Sequence, residues 1–436
     1  MTDNNENTDM AAVTEFGAVA LPASFQEETF FLRSSSASGI VKTGEKVIFS
    51  LSGKIPSNVK YFRLAKYVNG MKKSEKLFEA DKFPPVVMKG KAPGSLTVTI
   101  TRLDENKNTF PGTVAVGDGV LVDPDKIIPA RKIPADFVQF WKKNLALLSE
   151  VPVEVQRKKV PLSPEEGEGL LCEDVSIRSL GDIPVTGYLV MPENAPEKSL
   201  PAIVCYHGAG YKSSQKQLSF GKNAIVLDAN AHGLENGREP EFYKELNRRI
   251  PCCVVNGRTS LEKSYAKYMF LRTVRALDFV KSLPQWDGKN LIVFGRSQGG
   301  TQSLAAAALC QDVSLCVSNV PAMGDHAGKT VKRQPGWPVL NGRAGERIRK
   351  VSDYVDIVNL ATMVECPTYL TAGLMDLICP AASIVLVKNQ MKKGVCKELR
   401  LFPCMGHHAP GKQDKRDMIE QLCRSVRKNK NTERRK

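Results

Sequence analysis

Histidine is scarce in this sequence, with five in 436 residues. Cysteine is missing from everything before Cys172, although 11 follow from there on. Long apolar runs are missing too. The densest, Ile203 to Tyr206 and Leu304 to Cys310, fall far short of the ~20 residues that cross a bilayer, so no membrane association is expected. The first thirty residues hold no apolar stretch of the kind that marks a secretory signal. The cysteine count is odd, Cys205, Cys310 and Cys316 sit in apolar surroundings, and no pair lies at zinc-ligand spacing with a histidine nearby. These cysteines read as buried thiols, neither a disulfide framework nor a metal site. A reducing, cytoplasmic compartment is the expectation.

What is present is the composition of a globular protein. At 42% hydrophobic and 25% charged it excludes wholesale disorder, collagen and small disulfide-stapled scaffolds. At ~150 residues per domain the length suggests two or three domains. The net charge of +16 is uneven: residues 424–436 carry seven Lys and Arg against one acid, Glu433. That segment reads as a solvated, frayed tail, and no nucleic-acid partner is expected. A partner held through it would show salt-dependent retention on DNA that disappears when the tail is deleted.

Residues 1–20 are small and polar and read as disordered. Residues 21–122 have the texture of short strands, in Glu45 to Gly53, Val59 to Val68 and Ser95 to Thr101, separated by Asn69-Gly70, Pro93-Gly94 and Pro111-Gly112 turns. A small β-sandwich is the expectation, and nothing in it suggests chemistry. Residues 123–423 differ. Pro134 to Glu150 reads as an amphipathic helix, and strand-like runs then alternate with helical ones: Ala202 to Tyr206, Ala224 to Leu227, Leu261 to Leu283, Asn290 to Phe294, Gln298 to Cys310, Leu315 to Val320, Thr368 to Ala372, Ala381 to Lys392, Glu398 to Phe402, and a last helix from about Lys412. Such alternation gives an α/β fold, a doubly wound and mostly parallel sheet whose chemistry lies at the carboxyl ends of its strands.

One strand, Leu291 to Phe294, runs straight into Gly295-Arg296-Ser297-Gln298-Gly299-Gly300, followed by a small-residue helix. Gly-x-Ser-x-Gly between strand and helix is a tight elbow that projects a nucleophilic serine, Ser297. A serine needs a base, and in this fold the members follow the order Ser, acid, His. Of the histidines only His326, His407 and His408 follow Ser297. His407, just past the last predicted parallel strand, is the expected base, with His408 the neighbour it could be confused with. Asp376, on the loop after Thr368 to Ala372, is the expected acid; Asp353 and Asp356 precede that strand instead of following it. The oxyanion donors would be the backbone N–H groups of Gln298 and of Ala209, in the loop His207-Gly208-Ala209-Gly210.

Residues 134 to 423 resemble the acetyl xylan esterase and cephalosporin C deacetylase family of α/β-hydrolases, carbohydrate esterase family seven. The resemblance rests on Pro134 to Trp141, Cys205-Tyr206-His207-Gly208, the Gly295 to Gly300 elbow, and above all Gly373 to Pro380, GLMDLICP. It implies a serine esterase that removes acetyl or other short acyl groups from sugars with no cofactor, using Ser297, His407 and Asp376. A strand-rich, immunoglobulin-like N-terminal domain is similar to that of multidomain relatives from gut and marine bacteria. The sequence departs from the family at Asn230-Ala231-His232, where an Arg-Gly-Gln signature is usual, at His408 in place of Glu, and at Ala209 in place of Tyr. Gly208 and His232 are the expected substrate contacts, and the insertion Met323 to Lys350 the expected lid or oligomer contact. Rival readings are a peptidase or dienelactone-type hydrolase, and a non-catalytic shell that binds polysaccharide or a protein partner.

Overall fold

A computed structural model of the chain describes residues 30–230, 232–249, 253–340 and 345–407, the two-residue strands Val13–Thr14 and Gly17–Ala18, and Ile419. That strand pair falls inside the segment expected to be disordered. His408, the basic tail at 424–436 and, Ile419 apart, the last expected helix lie outside the described residues.

Between Phe30 and Val122 two sheets face each other. Three strands, Phe30–Ser34, Lys46–Gly53 and Val86–Lys89, cover five, in the order Ile40–Val41, Val116–Val122, Gly94–Leu103, Tyr61–Val68, Met71–Glu79. Alternation explains the layer. In Gly94–Leu103 the residues Leu96, Val98 and Ile100 join Phe30, Phe49 and Phe62 in a common core. The opposite face, Ser95, Thr97 and Thr99, would be left to water in a free-standing sandwich, yet all three are buried. The same holds for Val116–Val122, whose Val116, Val120 and Val122 point to the small core while Leu121 belongs to the large core of the rest of the chain. The outer face of the sandwich is therefore an interdomain surface.

The large sheet has nine strands: β1 Val155–Lys159, β2 Leu170–Ile177, β3 Val185–Pro192, β4 Leu200–Tyr206, β5 Ile225–Asn230, β6 Trp286–Arg296, β7 Leu315–Asn319, β8 Thr368–Gly373 and β9 Cys396–Phe402. They lie in the order β1-β2-β3-β5-β4-β6-β7-β8-β9, antiparallel from β1 to β5 and parallel from there on. Strands β4, β5, β7 and β8 are buried along nearly their whole length, and β6 from Leu291 to Gly295, as both-face coverage demands. The helices of this unit include α1 Phe137–Ser149, α2 Pro240–Arg249, α3 Tyr265–Ser282, α4 Gln298–Leu309, α5 Glu346–Tyr354 and α6 Ala381–Gln390, of which α3, α4 and α6 lie directly on the strands. Helix α1 buries Phe137, Trp141, Asn144 and Leu148, the stripe its periodicity predicts. Helix α4 is buried on every side, and its alanines 305–308 let β6 and α3 approach closely.

The insertion after β7 is packed into the body. Met323, Asp325, His326 and Arg333 are buried, Arg333 and Asp325 form an ion pair at 2.5 Å, and the Gln334 N–H donates to the Asn69 carbonyl of the sandwich at 2.8 Å. Residues 323–340 thus form a wedge between the two units, and 341–344 lie outside the described residues.

Candidate active site

The elbow after β6 is built as its glycines require. Ser297 has φ 58° and ψ −121°, a left-handed-side conformation that costs roughly 1–3 kcal/mol and persists because its neighbours fix it. Its N–H donates to the Asn319 carbonyl at 2.9 Å, and its own carbonyl accepts from Thr301 and Ala322 at 3.0 and 3.2 Å. A Cβ at Gly295 would stand 2.3 Å from the Gly299 carbonyl oxygen, and one at Gly299 would stand 2.0 Å from that of Tyr206. Both positions accept glycine alone, and the close pass between β4 and α4 follows.

Three loops converge on this serine. His407 Nε2 lies 2.9 Å from Ser297 Oγ, and Nδ1 lies 2.8 Å from Asp376 Oδ2. The second carboxylate oxygen of Asp376 accepts the Ile378 and Cys379 N–H groups, each at 2.8 Å, so the side chain cannot rotate away. With a carboxylate on Nδ1, the proton belongs on that nitrogen and Nε2 is left to accept from the serine hydroxyl. The Arg296 guanidinium donates to the His407 carbonyl. Asp353 and Asp356, the other candidate acids, are engaged elsewhere: Asp353 pairs with Arg131 at 3.0 Å, and Asp356 accepts the Asp325, His326 and Val358 N–H groups.

Above the serine opens a cavity of about 590 Å³, lined among others by Gly208, Ala209, His232, Arg296, Trp337 and Ile378. Gln298 lies at the first turn of α4, where N–H groups have no helical acceptor, and Ala209 faces the same cavity from the β4 loop. A Cβ on Gly208 would come within 3.7 Å of Ser297 Cβ, which places this loop directly over the nucleophile. The arrangement can receive a carbonyl carbon at Ser297 with its oxygen toward two backbone donors.

His232 lines the cavity but is tied down, its Nδ1 2.6 Å from the Tyr265 hydroxyl and 3.2 Å from Cys253 Sγ. Burial pushes its pKa down to about 3 and that of His207 down to about 4, so both are neutral at pH 7. His207 sets its Nδ1 against the Gly208 carbonyl, 2.7 Å away, and so braces the loop that carries Ala209. His326 is fully buried away from the cavity. Among the described residues one grouping has metal-ligand atoms close together, Asp376, Cys379 and His407, within 4.8 Å of one another. Two of its members are committed to the relay, and burial pushes the Cys379 thiol well above its ordinary pKa, so it stays protonated. The set reads as relay, not ligand cage.

Sequence reasoning missed Arg296, Trp337, Tyr211 and Cys253 as cavity residues. Arg296 sat inside the elbow motif and could have been found. Trp337 reaches the cavity from a segment without periodicity, and no sequence signal marks it.

A family model described as acetyl xylan esterase matches residues 122–335 and 339–424, more than two thirds of the chain. The acetyl esterase Axe7A of Xylanibacter ruminicola is 34% identical over 277 residues, 61% of this chain, and the chain spans 62% of that relative's length. A solved acetyl xylan esterase from Paenibacillus sp. R4 shares 24% identity with a TM-score of 0.57, covering 69% of this chain and 98% of its own. Acetyl xylan esterase 1 from Thermoanaerobacterium sp. JW/SL YS485 shares 20% identity at a TM-score of 0.58, covering 69% and 97%. At these identities the two structures speak for the fold alone, that of an α/β-hydrolase.

Proposed function

The chain belongs to the acetyl xylan esterase family, and from that premise we propose that it is a serine carboxylesterase removing acetyl or another short acyl group from an oxygen of a carbohydrate. The observation that carries the reading is the relay from Ser297 Oγ through His407 to Asp376, at 2.9 and 2.8 Å, on the floor of a cavity sized for a small molecule. Ser297 Oγ attacks the ester carbon as its proton passes to His407 Nε2, while Asp376 holds the imidazolium that forms. The oxygen of the tetrahedral intermediate turns to the Gln298 and Ala209 N–H groups. As the carbon–oxygen bond to the sugar breaks, His407 returns the proton to the leaving hydroxyl. Water then repeats the sequence on the acyl-enzyme, releasing the carboxylic acid and restoring Ser297.

A reducing compartment is proposed on the same footing, supported by nine described cysteines that are all free thiols, eight of them buried. The test of the reaction is hydrolysis of 4-nitrophenyl acetate and of acetylated xylo-oligosaccharides by the wild type and by Ser297→Ala. The wild type is expected to turn over both, and the variant neither. Equal rates for the two proteins end the proposal.

A further inference from the structure

The loops that carry Asp376 and His407 rest on the sandwich, which lies outside the family match beginning at residue 122. On the acid side, Thr97 Oγ1 donates to the Leu374 carbonyl at 3.1 Å in a fully buried contact, two residues before Asp376. Beside it, a Cβ on Gly119 would stand 2.1 Å from that same carbonyl oxygen, so the bare strand is what lets the loop come down on it. On the base side, the buried Asp118 carboxylate accepts three backbone N–H groups. Ser34 and Gly119 donate from within the sandwich, each at 2.7 Å, and Cys404 donates from across the interface at 3.1 Å. Cys404 has φ 56° and stands three residues before His407. Its Sγ donates in turn to the Leu32 carbonyl at 3.4 Å. The two loops are joined to each other by the Met375 N–H on the Met405 carbonyl at 2.9 Å.

A carboxylate inside a small apolar core is costly unless hydrogen-bonded, and a valine there would serve packing better. A threonine hydroxyl on this covered face needs a partner, and the one Thr97 takes is the carbonyl two residues before Asp376. Both are explained by what they hold. We propose that Thr97 and Asp118 are positioning residues of the active site: the sandwich is a clamp that sets the Asp376 and His407 loops against Ser297. The proposal rests on the esterase reading given above. It gives two residues of the N-terminal unit a part in positioning the site, where the sequence suggested none.

The experiment compares full-length wild type with Thr97→Val, Thr97→Ser, Asp118→Asn and the control Glu75→Gln, which breaks an exposed ion pair on the strand Met71–Glu79. Turnover of 4-nitrophenyl acetate is expressed per serine labelled by a fluorophosphonate, so loss of folded protein does not count as loss of rate. Small displacements of reacting groups cost up to ~100-fold, so Thr97→Val and Asp118→Asn are expected to lower kcat per labelled serine roughly 10- to 100-fold, with KM within about twofold. Thr97→Ser, which keeps the hydroxyl, and Glu75→Gln are expected to match the wild type. Unchanged kcat per labelled serine in Thr97→Val overturns the clamp whatever Asp118→Asn does, as does an unchanged rate in a folded Asp118→Asn. If Asp118→Asn does not fold, the threonine pair alone decides. A wild type that neither hydrolyses the ester nor takes the label fails the esterase reading instead.

Discussion

At the scale of single residues, the imidazole of His407 is defined by what Asp376 accepts from it. Replacing Asp376 by Asn leaves size and shape in place but sets an N–H where an acceptor was, which favours the wrong tautomer. Asp376→Asn is expected to lower kcat for 4-nitrophenyl acetate about 10⁴-fold with little change in KM. A loss of less than tenfold in a steady-state assay would show that the carboxylate is not the partner of His407. His326 offers a different test, because burial holds it neutral with a pKa pushed down to about 3. Unfolded, it takes up a proton below its ordinary value near 6.5. The unfolded state therefore binds more protons between those limits, and this residue's contribution to stability falls as pH falls. Urea unfolding at pH 7, 6 and 5 is expected to show His326→Leu gaining on the wild type by ~1.4 kcal/mol per pH unit below 6.5. A difference independent of pH refutes it.

At the scale of elements, the crossing of α4 over the end of β4 is the tightest joint near the nucleophile. Gly299→Ala brings a Cβ against the Tyr206 carbonyl, which is backbone and cannot rotate aside. The expected result is a destabilisation of about 1–3 kcal/mol in urea, accompanied by a fall in kcat, since the displaced strand leads directly into the oxyanion loop. Wild-type stability and rate in this variant would mean that the joint has slack. This joint was legible in the sequence, as were β4, β6, β7, β8 and helices α1, α3, α4 and α6, because strong apolar periodicity and glycine punctuation agreed there. Val116–Val122 was not legible. Its VGDGVLV pattern puts glycine at alternate positions, which is not a strand signal, whereas a Cβ at Gly119 would meet the Leu374 carbonyl and one at Gly117 the Val98 carbonyl of the neighbouring strand. Period-two alternation marks Ser95, Thr97 and Thr99 as a polar face but does not tell whether another domain covers it. Helices α2 and α5 were missed because their exposed faces are densely charged and each buries few residues. His326, read as part of a polar insertion, is buried because that insertion is a wedge.

At the scale of the whole molecule, eight of nine described cysteines are buried, and desolvation raises thiols such as Cys316 and Cys404 far above their ordinary range. Ellman's reagent at pH 8 is therefore expected to leave those eight unreacted over minutes in the native protein and to reach them all in guanidinium. Rapid native labelling of Cys404, mapped by peptide mass, would show that the interdomain face opens. That face joins distant parts of the chain: Thr97 and Leu374 are 277 positions apart, Asp118 and Cys404 286. During synthesis at ~5–20 residues per second, the sandwich has all of its own core once residue 122 has emerged. It then waits roughly 15–60 s for the loops it must hold. Strand β6, with the nucleophile, is made in that interval, so a ribosome-bound chain stalled before β9 carries the serine without its relay. The relay is for that reason one of the last things the described residues assemble, and it waits on the meeting of His407 with parts of the chain made long before it.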